Sequence, residues 1–307
     1  MSDSKLKNRR RFGRNGALWL MASPAVIITL VMSYIPMIGI ILAFKNYNYA
    51  DGLFSKWVGF DNFKFFFQSG KAWTVTRNTL VFNLMFIVIG KFFEILVAVV
   101  ISELGGKYFK KFCQSVIILP YFVSWVTAAA FVYNIFGYET GVVNTILTSM
   151  GMERFSIYSS TNLWYFLLPA VYIWKDVGYG SILYLSAIMG LDQDCYEAAM
   201  IDGANRFQKI IHITIPGIMP TIILLVLLSL GKILRGNFDM FYQLIGANSM
   251  LYDATDIIDV YVYRSLVEQP NIGMTSAITL FQSVVCFITI VIVNKIVRKY
   301  QAEYSLF

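Results

Sequence analysis

One histidine, His212, and three cysteines are all that this 307-residue chain offers as imidazole and thiol ligands. Cys113, Cys195 and Cys286 stand at no CxxC or metal-ligand spacing, so free thiols packed as small apolar side chains are expected, with no metal and no cofactor in the chain itself. An acid–base or metal-dependent site needs convergent ligands that a single histidine does not supply, which counts against a membrane-embedded enzyme such as a polysaccharide synthase. There is no GxxxxGK[ST] run, the loop whose backbone amides cradle nucleotide phosphates, so the chain has no ATP site of that kind. Charge is scarce too: Asp, Glu, Lys and Arg make up 14% of the residues, against about a quarter in soluble domains.

What fills the space is apolar. Hydrophobic residues reach 57% and the mean hydropathy is +0.62. A spanning helix needs about 20 mainly apolar residues, because the hydrocarbon core is roughly 30 Å thick and each helical residue rises about 1.5 Å. Six stretches meet that length: Ala17 to Phe44, Asn78 to Leu104, Phe112 to Phe136, Leu163 to Leu191, Pro216 to Leu234 and Gly273 to Val297. The expected class is an all-α polytopic membrane protein. The first run is of spanning length and carries Pro24 and Pro36, so it reads as a retained helix rather than a cleaved signal.

The formal charge of +7 does not form a basic face on a soluble domain, and nucleic acid is excluded as a partner. Its distribution instead sets topology, since cytoplasmic segments collect Lys and Arg. Counting alternate sides of the six spans gives fourteen basic residues on the side of the N-terminal tail, the 105–111 loop, the 191–216 loop and the C-terminus, against eight on the other. Both termini are therefore expected in the cytoplasm. The expected organisation is a basic tail over 1–16, a first span over 17–44, an external aromatic-rich loop over 45–77, a core of five spans over 78–297 and a cytoplasmic tail over 298–307. Rings such as Tyr47, Trp57, Phe60, Phe63 and Trp73 in the first external loop suit a segment lying at the headgroup level.

The loop over 191–216 carries the most information. Asp192 or Asp194 is placed to cap a short helix, where a carboxylate accepts free backbone N–H groups and meets the positive end of the helix dipole. Tyr196, Ala199 and Met200 share one face of it. Gly203 allows a left-handed turn or a close approach, and Pro216 sets a boundary before the next span. Small residues at Ala198, Ala199, Gly203 and Ala204 leave a low surface open to a partner's side chains.

Glu197-Ala198-Ala199, Asp202-Gly203-Ala204, Phe207, Ile213, Pro216 and Pro220 resemble the EAA loop of ABC-importer permeases, in spacing throughout. Nearly the whole chain is similar to carbohydrate permeases of the maltose-type superfamily, in the branch handling oligosaccharides of polysaccharide origin. Phe44-Lys45-Asn46-Tyr47, the run from Trp57 to Phe63, Arg77-Asn78-Thr79, the run from Leu119 to Trp125 and the run from Asp259 to Arg264 carry that likeness. The resemblance implies a type I importer permease fold in the cell membrane of a prokaryote. It implies a second, different permease, two ATPase subunits that bind ATP and Mg on the cytoplasmic side, and an extracytoplasmic binding protein that delivers the oligosaccharide. The EAA helix would dock in a cleft of the ATPase, with Glu197 offered to a basic residue there.

Polar side chains inside the spans are candidates for a sugar path, because a pyranose presents an apolar C–H face and a rim of hydroxyls. Asn83, Tyr133, Asn134, Trp174, Tyr179, Asn237, Asp239 and Gln282 are of suitable type. An ionised side chain at mid-membrane costs about 2.5 to 3.5 kcal/mol on insertion scales. Lys91 and Glu94, three apart on the second span, and Lys175 with Asp176 on the fourth therefore either neutralise one another or line a water-filled path. An ion-coupled secondary transporter is the other transport class, but such chains commonly repeat their fold internally and no repeat is visible.

Overall fold

The computed structural model describes residues 16, 18–268 and 270–300. The described residues are helical apart from turns, short loops and an isolated antiparallel bridge between Lys45 and Trp57. They divide into two units, residues 1–66 with 270–280, and residues 67–269 with 281–307.

The first unit holds α1 (Leu18–Phe44), the beginning of α2 (Asp61–Gln68) and the first residues of α13 (Ile272–Tyr300). Helix α1 loosens along its length, through a π-turn at Leu30–Tyr34 into a 3-10 segment at Ile35–Phe44. Pro36 stands at the start of that segment, where a missing N–H and a fixed φ are tolerated. Beyond it Phe44 stacks on Trp57 at 5.6 Å. Asn62 Nδ2 donates to the carbonyls of Ala43 and Lys45, each at 2.9 Å, closing the chain reversal after the span. Gly273 fits tightly here, since a Cβ on it would come within 2.8 Å of the Lys45 carbonyl.

The second unit is built around two long helices lying side by side, α3 (Lys71–Glu103) and α7 (Thr161–Met189). Lipid tails give helices no hydrophobic drive to associate, so spans gain contact by bringing backbones close at small residues. Gly90 of α3 meets the Tyr172 ring, which a Cβ would approach to 2.8 Å. Gly180 of α7 faces the Glu94 carboxyl, and Gly178 faces the backbone carbonyl of Ile117; a Cβ at either would overlap its neighbour. Helix α3 starts at Lys71, inside the stretch expected to be external loop, and carries a π-turn at Phe86–Gly90. One apolar cluster gathers Phe82, Phe86, Trp164, Leu168, Phe241 and Leu244, and another gathers Ala98, Ile101, Tyr184, Leu185, Ile188 and Ile218.

Two expected spans are bent. The stretch from Phe112 to Phe136 is not one straight helix: α4 (Lys107–Phe122) and α5 (Trp125–Phe136) meet at 92°. Pro120 opens the 3-10 turn at the end of α4, and Ser124 caps α5 by accepting from the Thr127 amide. The stretch beginning at Pro216 is bent by 57° between α9 (Arg206–Gly217) and α10 (Met219–Leu230). Pro216 does not end a helix; the π-turn at Ile210–Thr214 precedes it and the break falls at Ile218. Helix α10 unwinds at Gly231, short of the expected Leu234. The remaining helices of eight or more residues are α6 (Val142–Ser149), α8 (Gln193–Ile201), α11 (Phe238–Ile245) and α12 (Ile258–Glu268).

Candidate functional site

Local chemistry dictates the shape of the 191–216 loop. Asp192, not Asp194, is the N-cap of α8, its carboxylate accepting from the Asp194 amide at 3.0 Å. At the other end Gly203 takes φ +79°, the left-handed conformation that an unbranched backbone reaches without a Cβ clash. Its N–H donates to Met200 O at 3.1 Å and the Ala204 N–H to Ala199 O at 2.9 Å, the paired bonds of a Schellman cap. Asn205 and Gln208 then form a capping box at the start of α9. The Tyr196 hydroxyl lies 2.9 Å from Thr214 Oγ1, tying α8 to the π-turn beyond it.

This loop offers a surface rather than a core. Glu197, Ala198, Asp202 and Gly203 are exposed, and Ala199 and Ala204 are half-buried. Phe207 is 70% exposed and Ile201 86%, more apolar side chain than a solvated connector has reason to present. A groove of about 390 Å³ runs between Ala199, Asp202, Gly203, Gln208, Lys209 and His212. His212 Nδ1 donates to the Gln208 carbonyl, 3.0 Å away. Cys195, expected to be packed, is exposed on α8.

The polar residues of the spans separate into groups. Lys91 and Glu94 are paired at 2.8 Å, with the glutamate side chain 4% exposed and the lysine 20%. Lys175 and Asp176 are not paired with one another, so mutual neutralisation, one of the two readings open for them, does not occur. Neighbours on a helix point about 100° apart, and Lys175 Nζ donates instead to Tyr121 O at 2.9 Å while lying over the Tyr121 and Trp125 rings. It satisfies a carbonyl released by the 92° bend and sits at the negative end of α4. Asp176 Oδ2 is buried, with no hydrogen-bond partner among the described residues. Tyr179 stacks on Tyr121 at 4.2 Å.

A second group organises the irregular segment after α10. Asn83 Nδ2 donates to Ile233 O at 2.7 Å and Arg235 O at 3.1 Å. Gln282 donates to Leu234 O and to Asp259, whose carboxylate also accepts from the Gly236 amide at 2.7 Å. Asn237 caps α11 through Met240 N, and Asp239 is exposed in that helix's first turn. Non-helical backbone at membrane depth is tolerated where protein groups satisfy it, and this is how Asn83 and Gln282 are used. Asn83, Lys91 and Asn237 also line one polar cavity of about 240 Å³ together with Tyr172. Asn134 and Trp174 line a different, apolar cavity of about 510 Å³. Tyr133 is exposed, 6.4 Å from the Tyr158 ring.

Sequence reasoning missed an anchor for the segment between α11 and α12. Asn78, fully buried, donates to the carbonyls of Asp253 and Asp256 at 3.1 and 3.2 Å. Thr79 accepts from the Ile258 amide at 2.9 Å. Arg264 pairs with Asp256 and stacks over Tyr252 at 3.9 Å. Burial holds the Asp256 carboxyl above the ordinary carboxylate range, against the opposing pull of the Arg264 guanidinium. The Arg77-Asn78-Thr79 run was visible as a motif, but its partners lie about 175 residues away.

Long apolar helices, bends satisfied internally and an exposed loop between spans define a multi-pass transport subunit. The chain belongs to the family of binding-protein-dependent transport system inner membrane components, whose model matches residues 94–302. It is a permease subunit of an ABC importer and not itself an enzyme. It is 35% identical to Protein LplB of Bacillus subtilis (strain 168) over 94% of this chain and 91% of that one. With the polygalacturonan/rhamnogalacturonan transport system permease protein YteP of the same organism it shares 31% identity over 93% and 89%. Among solved structures, a chain of a bacterial alginate ABC transporter, in complex with an alginate pentasaccharide-bound periplasmic protein, superposes with TM-score 0.85 at 33% identity. That match covers 95% of this chain and 97% of the other. These findings favour the importer over the secondary transporter and the membrane enzyme.

Proposed function

We propose that this chain is one of two different permeases in an ATP-driven importer that carries oligosaccharides cut from polysaccharides across the plasma membrane of a prokaryote. The observation that carries the reading is the likeness along almost the full chain to a permease of an alginate transporter crystallised with its sugar-loaded periplasmic protein. An extracytoplasmic binding protein delivers the sugar, and two ATPase subunits hold ATP and Mg.

In this reading six spans cross the membrane: α1, α3, α4 with α5, α7, α10 with the segment before it, and α13. Helix α7 is the span that apolarity alone does not pick out. Its 29 residues reach about 43 Å at 1.5 Å each, and its Lys175 and Ser181 are buried. The termini and the 191–216 loop lie in the cytoplasm, with 45–77 outside. Glu197, Ala198, Ala199, Asp202, Gly203, Ala204, Phe207 and Pro216 form the element that docks on the ATPase. The exposed Ile201 and Phe207 support this, as apolar side chains that a partner's cleft would cover. The second permease has a surface to meet, since the apolar window of α1 is 0% buried.

Orientation is checked by single cysteines in a background lacking Cys113, Cys195 and Cys286. An impermeant maleimide applied to whole cells should label a cysteine at Asp51 and leave one at Asn205 untouched; the reverse pattern sinks the topology. Function is checked in proteoliposomes holding this chain, the second permease, the ATPase and the binding protein, where sugar-loaded binding protein should raise ATP hydrolysis and drive uptake. A transport-competent complex with this chain as its only permease would overturn the heteromeric reading.

A further inference from the structure

The polar cavity beside α3 has a lining of one sign. Lys91, Lys232 and Arg235 all border it, and no carboxylate does. Asn83, Phe86, Ile87 and Lys91 line it, all within the stretch 78–104 expected to cross the membrane, so the cavity lies alongside the span. Charge within a span is expensive and marks a substrate or ion pathway when it faces a cavity. Only Lys91 is neutralised in full, by Glu94 behind it. Lys232 and Arg235 are exposed and make no salt bridge among the described residues. Asp259, the acid that interacts electrostatically with Arg235, forms no salt bridge with it and accepts from the Gly236 amide and from Gln282.

The position of these two cations is fixed rather than incidental. They sit on the unwound segment after Gly231, whose carbonyls at 233, 234 and 235 are held by Asn83 and Gln282. The same cavity carries the other elements that a sugar needs. Tyr172 and Phe86, stacked at 4.6 Å, supply an aromatic wall, and Asn237 supplies an amide for hydroxyls.

We infer that this cavity is a way station for carboxylate-bearing sugars: the path is built for oligosaccharides containing uronic acid, with Arg235 and Lys232 receiving the carboxylate while the ring passes Tyr172. A guanidinium matches a carboxylate with two parallel N–H donors, and lysine adds a mobile point charge. This rests on the oligosaccharide reading above and names the chemical class that the path selects.

The test uses the complete transporter in proteoliposomes with its binding protein, offered trigalacturonate and, separately, neutral galactotriose. The variants are K232Q with R235Q, and the charge-keeping pair K232R with R235K, each checked for assembly by size-exclusion chromatography. Trigalacturonate uptake should fall about tenfold or more in the glutamine pair, as expected for a lost charge-assisted hydrogen bond. It should fall less in the charge-keeping pair, which retains both positive charges but loses the paired N–H donors of Arg235. Undiminished uptake by the glutamine pair, or an equal loss in both pairs, overturns the inference. Uptake of galactotriose but not trigalacturonate by the parent overturns it while leaving the oligosaccharide reading intact. If the parent takes up neither sugar, the oligosaccharide reading falls and the inference with it.

Discussion

Gly203→Pro should leave the transporter assembled in the membrane and abolish uptake. Proline fixes φ near −65° and has no N–H, whereas Gly203 holds φ +79° and donates its N–H to Met200 O. The substitution breaks the cap of α8 and redirects the chain into α9 at the surface proposed to meet the ATPase. Insertion should survive, because the loop contributes little buried surface and the spans pack elsewhere. Gly203→Ala is the graded control. Space is open around this glycine, with nothing within 4 Å of an added Cβ, so alanine meets only the left-handed backbone cost, about 1–2 kcal/mol. Partial uptake is expected there. Glu197→Lys reverses an exposed charge without touching the fold and should also uncouple hydrolysis from transport. The measurements are complex yield, ATP hydrolysis and sugar uptake for each variant; normal uptake by Gly203→Pro and Glu197→Lys at normal yield would sink the coupling assignment.

What could be read in advance follows the range of the interaction. The 191–216 loop was legible because its determinants are local: Asp192 or Asp194 as a cap, which the structure resolves as Asp192, and Gly203 as the left-handed turn; in α3 the Lys91–Glu94 pair, three residues apart, was legible for the same reason and closes at 2.8 Å. The bends were not. Hydropathy registers an apolar run whatever its direction, so α4 and α5 read as one span although they meet at 92°. Pro120 was a visible signal, but the residue that compensates the break, Lys175, lies 54 positions away and bonds to a backbone carbonyl. Side-chain type alone gave no sign of the backbone partners of Asn83 and Gln282. Their amides suit sugar hydroxyls, and the structure spends them on the carbonyls of the unwound segment after α10. Arg235 entered only the topology count and Lys232 went unremarked, since both stood at the edge of the stretch expected to end at Leu234. Only the unwinding at Gly231 turns them toward a cavity.

The Lys91–Glu94 pair should behave asymmetrically when its members are removed one at a time. Glu94 is nearly sealed, 4% exposed and pressed against Gly180, while Lys91 is 20% exposed at the cavity. Lys91→Met therefore strands a carboxylate in a poor solvent, and breaking a buried pair from one side costs about 3–5 kcal/mol. Glu94→Gln leaves a lysine that still reaches the cavity, and glutamine keeps the shape that Gly180 accommodates, so its cost should be smaller. Joining the two substitutions removes both charges and should restore much of the complex yield lost to Lys91→Met. A double-mutant cycle scored on yield gives the coupling, since residues in one ion pair depart from additivity by about 0.5–3 kcal/mol. Sugar uptake scored per assembled complex then separates structure from path. If the pair is only structural, uptake follows yield through the whole cycle. If Lys91 also meets the sugar at the cavity, the double variant assembles and transports poorly. Additive losses in yield, with Lys91→Met no worse than Glu94→Gln, would show that the 2.8 Å contact does not stabilise the bundle.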